Sequence, residues 1–333
     1  MTEQEKHYRG FMAAIGRTML IFFVLINLFG ISYVIFDEIL YALPISYTAR
    51  TVTSQLFYGA GYMLSFMLPV VFLRLWLKKC KYKPQPMYLE PKWTPYMPLA
   101  ILAGIAVCYA AAIFNQTLTS FLDIFSPMQD LTGASVVSME PYEIVLQFIV
   151  ICIVPGFCEE FLFRGAILTN CLPFGRTNAI IISSLLFAVM HQNFDQLLYT
   201  FVAGVVMGLI YERTRSIWPS TFLHICNNFL SVIISAVASK EGIGETGSLI
   251  LMLIDCIVFT LGTVAAVILI YRFCSKKRDL CDGVFGHDLP AADSYADLPV
   301  SSARARKLFC TPCMVIFLSL SLVSMILLVF IGG

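Results

Sequence analysis

Three clusters of polar side chains interrupt otherwise apolar runs: Cys158-Glu159-Glu160-Phe161-Leu162-Phe163-Arg164-Gly165, Phe187-Ala188-Val189-Met190-His191, and His224-Ile225-Cys226-Asn227-Asn228. On a helix Glu160 and Arg164 stand at i and i+4, so they share a face and neutralise one another, whereas Glu159 is rotated by ~100° from Glu160. Glu159 is thereby left as a free carboxylate, the type of group that serves as a general base. His224 and Asn228 also stand at i and i+4, which puts two hydrogen-bonding groups side by side. Asp255 has no such companion and reads as interfacial or structural.

The elements carrying these clusters are membrane helices. Of 333 residues, 59% are apolar and only 13% charged, about half the charged share of a soluble domain. Uncharged or nearly uncharged stretches at 18–36, 51–73, 93–122, 144–158, 177–211, 216–238, 256–271 and 308–333 mostly reach the ~20 residues that a bilayer-crossing helix needs. His191-Gln-Asn-Phe-Asp195 divides one of them into two short passes. The sequence therefore predicts an all-α, polytopic integral membrane protein with about eight to nine transmembrane helices. The first apolar segment outlasts a signal-peptide core of ~7 to 15 residues and is read as a retained helix.

Ionisable side chains inside such helices cost about 2.5–3.5 kcal/mol each, so three clusters in a 70-residue stretch point to a polar interior with a task. Depth decides whether they can meet. If the fourth helix runs from Pro141 to about Leu172, it is ~48 Å long, must tilt or break at Pro155-Gly156, and holds Glu159 ~20 Å from its end. His191 lies at a similar depth beyond Asn178. His224 is only ~10 Å beyond Ile217, a mismatch unless the 212–216 turn is itself recessed.

Of the 22 Lys and Arg residues, all but Arg50 and Lys240 fall on one side if the passes alternate, which predicts a cytoplasmic N-terminus. The intervening outer loop, 123–142, has acids and no base. None of the 11 cysteines falls in an outer loop, so disulfides are not expected. Cys310-x-x-Cys313 lacks a second pair and reads as ordinary helix-start residues. The formal net charge of +1 gives no electrostatic reason to expect nucleic acid as a partner. Three parts are expected: a membrane domain over 1–271 with its motif-bearing core at 140–238, a mobile cytoplasmic loop at 272–309, and an additional C-terminal transmembrane helix at 310–333.

The set Glu159-Glu160-x-x-x-Arg164, Phe187-x-x-x-His191 and His224-x-x-x-Asn228, with Ser216-Ile-Trp-Pro-Ser-Thr-Phe-Leu leading into His224, resembles the three motifs of the CPBP family. These are intramembrane proteases related to type II CAAX prenyl endopeptidases and to bacteriocin-processing and self-immunity proteins. The resemblance implies an all-helical membrane peptidase of a bacterial-type plasma membrane, with a conical cavity open to the cytoplasm and the bilayer. It assigns Glu159 and His191 to water activation and His224 and Asn228 to the oxyanion, with Glu160 and Arg164 in support. The implied substrate is a membrane-embedded or lipidated peptide or protein.

Peptide hydrolysis needs a base to activate water and donors aimed at the developing oxyanion, and these residue types meet both needs. A zinc ion held by Glu159, His191 and His224 is the alternative, since two histidines and a carboxylate can leave one coordination site for water. The chain lacks His-Glu-x-x-His, and a glutamate used as a ligand needs another base, so the metal-free form without a cofactor is the preferred expectation. Two other functions compete: a non-catalytic immunity or scaffold protein that binds a partner peptide, and a proton-coupled carrier using Glu159 and His191 as a relay.

Overall fold

The computed structural model describes residues 3–79, 84–123, 141–238, 244–275 and 309–331. Among them there is no strand, and the protein is an all-α polytopic membrane protein. In chain order the helices are α1 (Glu3–Ala42), α2 (Tyr47–Lys79), α3 (Met97–Asp123), a composite α4, α5 (Arg176–Val189), α6 (Phe194–Thr214), α7 (Ile217–Ala238), α8 (Glu245–Ser275) and α9 (Pro312–Ile331). Seven of these are long and apolar enough to cross a bilayer; α5 is apolar but shorter, and α9 is an apolar helix of 20 residues. The segment 276–308, which contains most of the expected cytoplasmic loop, lies outside the described residues, as do 124–140 of the expected outer loop.

Helix α4 occupies the centre, touching α2, α5 and α7. It runs through α-helical Pro141–Gln147, π-helical Phe148–Ile153, α-helical Val154–Glu160, π-helical Phe161–Leu168, α-helical Thr169–Cys171 and a closing 3-10 turn, Leu172–Phe174. The break expected at Pro155-Gly156 is absent: Ile153 (φ −72°, ψ −54°) keeps right-handed helical dihedrals at the approach to the proline. Pro155 has no N–H for the carbonyl of Ile151 and its ring crowds that carbonyl. The widened turn before it, in which Val154 N–H reaches back five residues to Ile149 O, lets the chain pass the proline while staying helical.

Gly156 has a different role from the one expected. A Cβ there would come 2.6 Å from Ile225 Cγ1, so glycine is what allows α7 to cross α4 at close range. Helices α5 and α6 are brought together in the same way by Gly204, where a Cβ would meet Ser184 Cα at 3.0 Å. Small residues at such crossings let membrane helices gain dispersion energy that lipid does not provide.

The polar sequence 191–195 does divide two helices. Asn193 caps α6 by accepting from Asp195 N–H at 2.8 Å, and Asn115 of α3 bonds the same turn at Asp195 O and Leu198 N–H. Helix α6 is longer than expected because it continues through Glu212. That buried carboxylate is surrounded by Arg176 (2.5 Å), Arg213 (3.3 Å) and Arg215 (3.7 Å).

The turn between α6 and α7 is buried at Ser216 and Ile217, and an extended strap covers it. Ile217 N–H donates to Tyr88 O at 2.9 Å, Trp218 Nε1–H to Leu89 O at 2.7 Å, and Ser216 Oγ–H to Glu90 O at 2.6 Å. The strap is fixed to α4 as well, by Gln85 N–H to Asn170 Oδ1 at 2.8 Å. His224 meets Glu159 and Glu160, so the depth mismatch suggested by the spacing does not keep these clusters apart.

At the other face of the bundle, α9 lies along α1. Met314 and Phe317 are buried there, and Gly16 sits against the Met314 backbone. Asp255 of α8 accepts from the Tyr109 hydroxyl of α3, a helix-to-helix tie away from the three clusters. All eight cysteines whose side chains are described are free.

Candidate active site

Glu159 and Glu160 both reach His224, although they leave α4 in different directions. Arg164 NH1 lies 2.7 Å from Glu160 Oε1, as the i,i+4 spacing requires, with both side chains fully buried. The same Glu160 oxygen accepts from His224 Nδ1–H at 3.1 Å. His224 Nε2 then faces Glu159 Oε2 at 3.7 Å. Burying this many charges is tolerable only because they are paired in opposite sign.

Arg164 is held from two further sides. Its NH2 donates to Gly204 O at 3.3 Å, and its guanidinium carbon lies 4.5 Å from the centre of the Phe187 ring. The close α5–α6 crossing at Gly204 is therefore also what brings a carbonyl to the arginine.

Phe187 links the two histidines. Its ring meets that of His191 at 5.2 Å and that of His224 at 5.8 Å, both edge-on, and Phe163 adds a third edge contact at 5.3 Å. His191 stands just past the end of α5, where Gln192 turns the chain with φ 53°. Its Nδ1–H donates to Phe187 O at 2.9 Å, so in the neutral ring Nε2 is the acceptor.

Asn228 is one turn beyond His224, but its amide donates to Ile151 O at 3.2 Å. The neighbouring Asn227 is the buried one, bonded to the Tyr199 hydroxyl. Glu159, Glu160, Arg164 and His224 are thus in direct polar contact, His191 joins them through Phe187, and Asn228 is anchored to the wide turn of α4.

One contributor was missed in the sequence. The Tyr62 hydroxyl of α2 donates to Glu159 Oε1. Ser54, Tyr58 and Tyr62 recur at intervals of four along α2, a polar stripe that spacing alone makes visible. Glu159 Oε2, by contrast, is buried and accepts no hydrogen bond from the described residues.

Among the described residues no three His, Cys, Asp or Glu side chains converge as ligands to a metal would. Nδ1 of His224 is engaged by Glu160 and that of His191 by the Phe187 carbonyl, a pattern that leaves Nε2 of each ring as the atom facing the site. As placed, the described residues form no three-ligand zinc site.

Comparison with known proteins bears on the same residues. Residues 141–230, which contain all three clusters, match the family model for the Rce1-like type II CAAX prenyl endopeptidases. Over 140 residues the chain is 29% identical to "Putative membrane peptidase YdiL" of Bacillus subtilis (strain 168), a match that covers 40% of this chain and 56% of that relative. The chain thus spans little more than half the length of that relative. No solved structure matches the chain significantly.

Proposed function

From the match of residues 141–230 to the Rce1-like type II CAAX prenyl endopeptidase model, we propose that the protein is an intramembrane endopeptidase with Glu159 as its base. The observation that carries this reading is the opposition of Glu159 Oε2 and His224 Nε2 across 3.7 Å, with Glu160 holding the far side of the imidazole at 3.1 Å. A carboxylate oxygen free to take a proton and a ring nitrogen able to present one then face the same small space.

In the proposed reaction a water molecule lies between Glu159 Oε2 and His191 Nε2. Glu159 takes one water proton as the water oxygen bonds to the peptide carbon, and the carbonyl π electrons move onto its oxygen. His224 Nε2–H and the second Asn228 N–H stabilise that oxyanion. The carbonyl re-forms as the C–N bond breaks, and the proton held by Glu159 passes to the leaving nitrogen. Products are one carboxylic acid and one amine. When His224 carries both ring protons, its charge and that of Arg164 balance those of Glu159 and Glu160, so the cluster is neutral overall.

The substrate proposed is a membrane-associated or lipidated peptide or protein, presented from the bilayer. The proposed orientation places the N-terminus in the cytoplasm. Contacts of Tyr8 and Phe11 with Phe174 and of Gln85 with Asn170 support one basic end, since Arg176, Arg213 and Arg215 gather there around Glu212. Comparative peptidomics of membranes containing wild type or Glu159→Gln tests the activity, with cleavage products expected only from wild type.

A further inference from the structure

We infer that Tyr62 is a positioning residue that selects which oxygen of Glu159 acts as the base; this rests on the proposed peptidase reading. Tyr62 belongs to α2, outside the segment 141–230 that matches the family model. Its hydroxyl donates to Glu159 Oε1. Oε2 is thereby left without a donor among the described residues and opposite His224 Nε2 at 3.7 Å.

A carboxylate turns readily about its last torsion, and its two oxygens are chemically equivalent until something distinguishes them. The tyrosine supplies the distinction. An oxygen already accepting a hydrogen bond is the poorer proton acceptor of the two, so the reactive lone pair is confined to the side where His224 stands.

The hydroxyl is itself held in place by its ring. Tyr62 stacks on Phe66 at 4.7 Å and 29°, and on Tyr58 at 5.9 Å and 27°. Phe66 is fully buried and rests in turn on Phe22 of α1 at 4.8 Å. Tyr58 is braced edge-on by Tyr33 of α1 at 5.2 Å. Two helices therefore fix a direction for one O–H bond, the kind of support that keeps a catalytic carboxylate in a productive pose.

Tyr62→Phe keeps the stacking ring and removes only the donor. With a cleaved substrate in hand, kcat is expected to fall ~10- to 100-fold with KM unchanged, the scale of a misoriented reacting group. The second readout needs no substrate. In infrared spectra of the full-length protein in lipid, the carboxylate band that disappears in Glu159→Gln is assigned to Glu159, and Tyr62→Phe is expected to shift it. Tyr33→Phe, which leaves the Tyr62 hydroxyl in place, is expected to leave the band unmoved.

An unshifted band in Tyr62→Phe, or an equal shift in Tyr33→Phe, overturns the inference. Lower thermal stability with unchanged kcat overturns it too, since that is the signature of a simple tie between α2 and α4. Failure of the peptidase reading is distinguishable, because it removes the kinetic readout and leaves the infrared one intact.

Discussion

The side-chain amide of Asn228 donates to the carbonyl of Ile151 at 3.2 Å, and Ile151 is the residue whose carbonyl Pro155, four positions on, has no N–H to bond. One asparagine of α7 thus serves the backbone of α4 about two turns before Glu159. One of its amide hydrogens is on Ile151, and the proposed mechanism gives the other to the oxyanion.

Asn228→Ala is accordingly expected to lower kcat by ~100- to 1,000-fold and to cost about 1 kcal/mol of stability through the lost hydrogen bond. Pro155→Ala restores a backbone N–H four residues after Ile151. In that background Asn228→Ala should lose activity to the same degree but little stability. Thermal unfolding in detergent and turnover of the four proteins separate the two roles.

Glu160 has two partners, Arg164 and His224 Nδ1. Glu160→Gln leaves a buried guanidinium without its counter-charge, for which ~3–5 kcal/mol of destabilisation is expected. It also loosens His224, so the residual folded protein should turn over more slowly. Glu159→Gln should instead leave the unfolding midpoint close to wild type and abolish turnover. The opposite pattern, a stable but dead Glu160→Gln with an active Glu159→Gln, exchanges the two roles.

A methyl group on Gly156 meets Ile225 Cγ1 at 2.6 Å, so Gly156→Ala must push α7 away from α4 and draw His224 off the glutamates. Overpacking of this kind costs about 1–3 kcal/mol. Ile225→Ala alone opens space and should destabilise moderately. Combined with Gly156→Ala it should recover both stability and activity, and a double variant no better than Gly156→Ala would place the fault elsewhere.

Much of this arrangement is legible in the sequence because it is local. The Glu160–Arg164 pair follows from i,i+4 spacing, and the division of α5 from α6 follows from the polar run at 191–195. What spacing cannot show are contacts made across the chain. The first turn of α7, which leads into His224, is bonded by a strap more than a hundred residues earlier, at Tyr88 and Leu89. Pro155-Gly156 looks like a break, but Val154 bonds back to Ile149 and Ile225 fills the space a glycine leaves. The four-residue spacing of Ser54, Tyr58 and Tyr62 is visible in α2, but the partner of Tyr62 on α4 is not. The putting together of Glu159 and Glu160 on one imidazole is likewise tertiary, since a 100° rotation on α4 suggests that they diverge.

Chelation distinguishes the two versions of water activation. With Glu159 as the base, activity should survive chelators and metal-free purification, because the proton acceptor is the carboxylate itself. A zinc reaction instead requires loss on chelation and recovery in proportion to restored occupancy. Stoichiometric zinc in active protein, lost with activity in both His191→Ala and His224→Ala, contradicts the metal-free mechanism.

If Glu159 is the base for peptide-bond hydrolysis in the membrane, cleavage products differ between membranes expressing wild type and Glu159→Gln at matched levels. Oxygen-18 water in the medium labels each new carboxyl terminus. New peptides bearing that label in wild type and absent from Glu159→Gln are the result predicted here. The same labelled peptides in both membranes, or proton flux through wild-type liposomes with no cleavage anywhere, would contradict it.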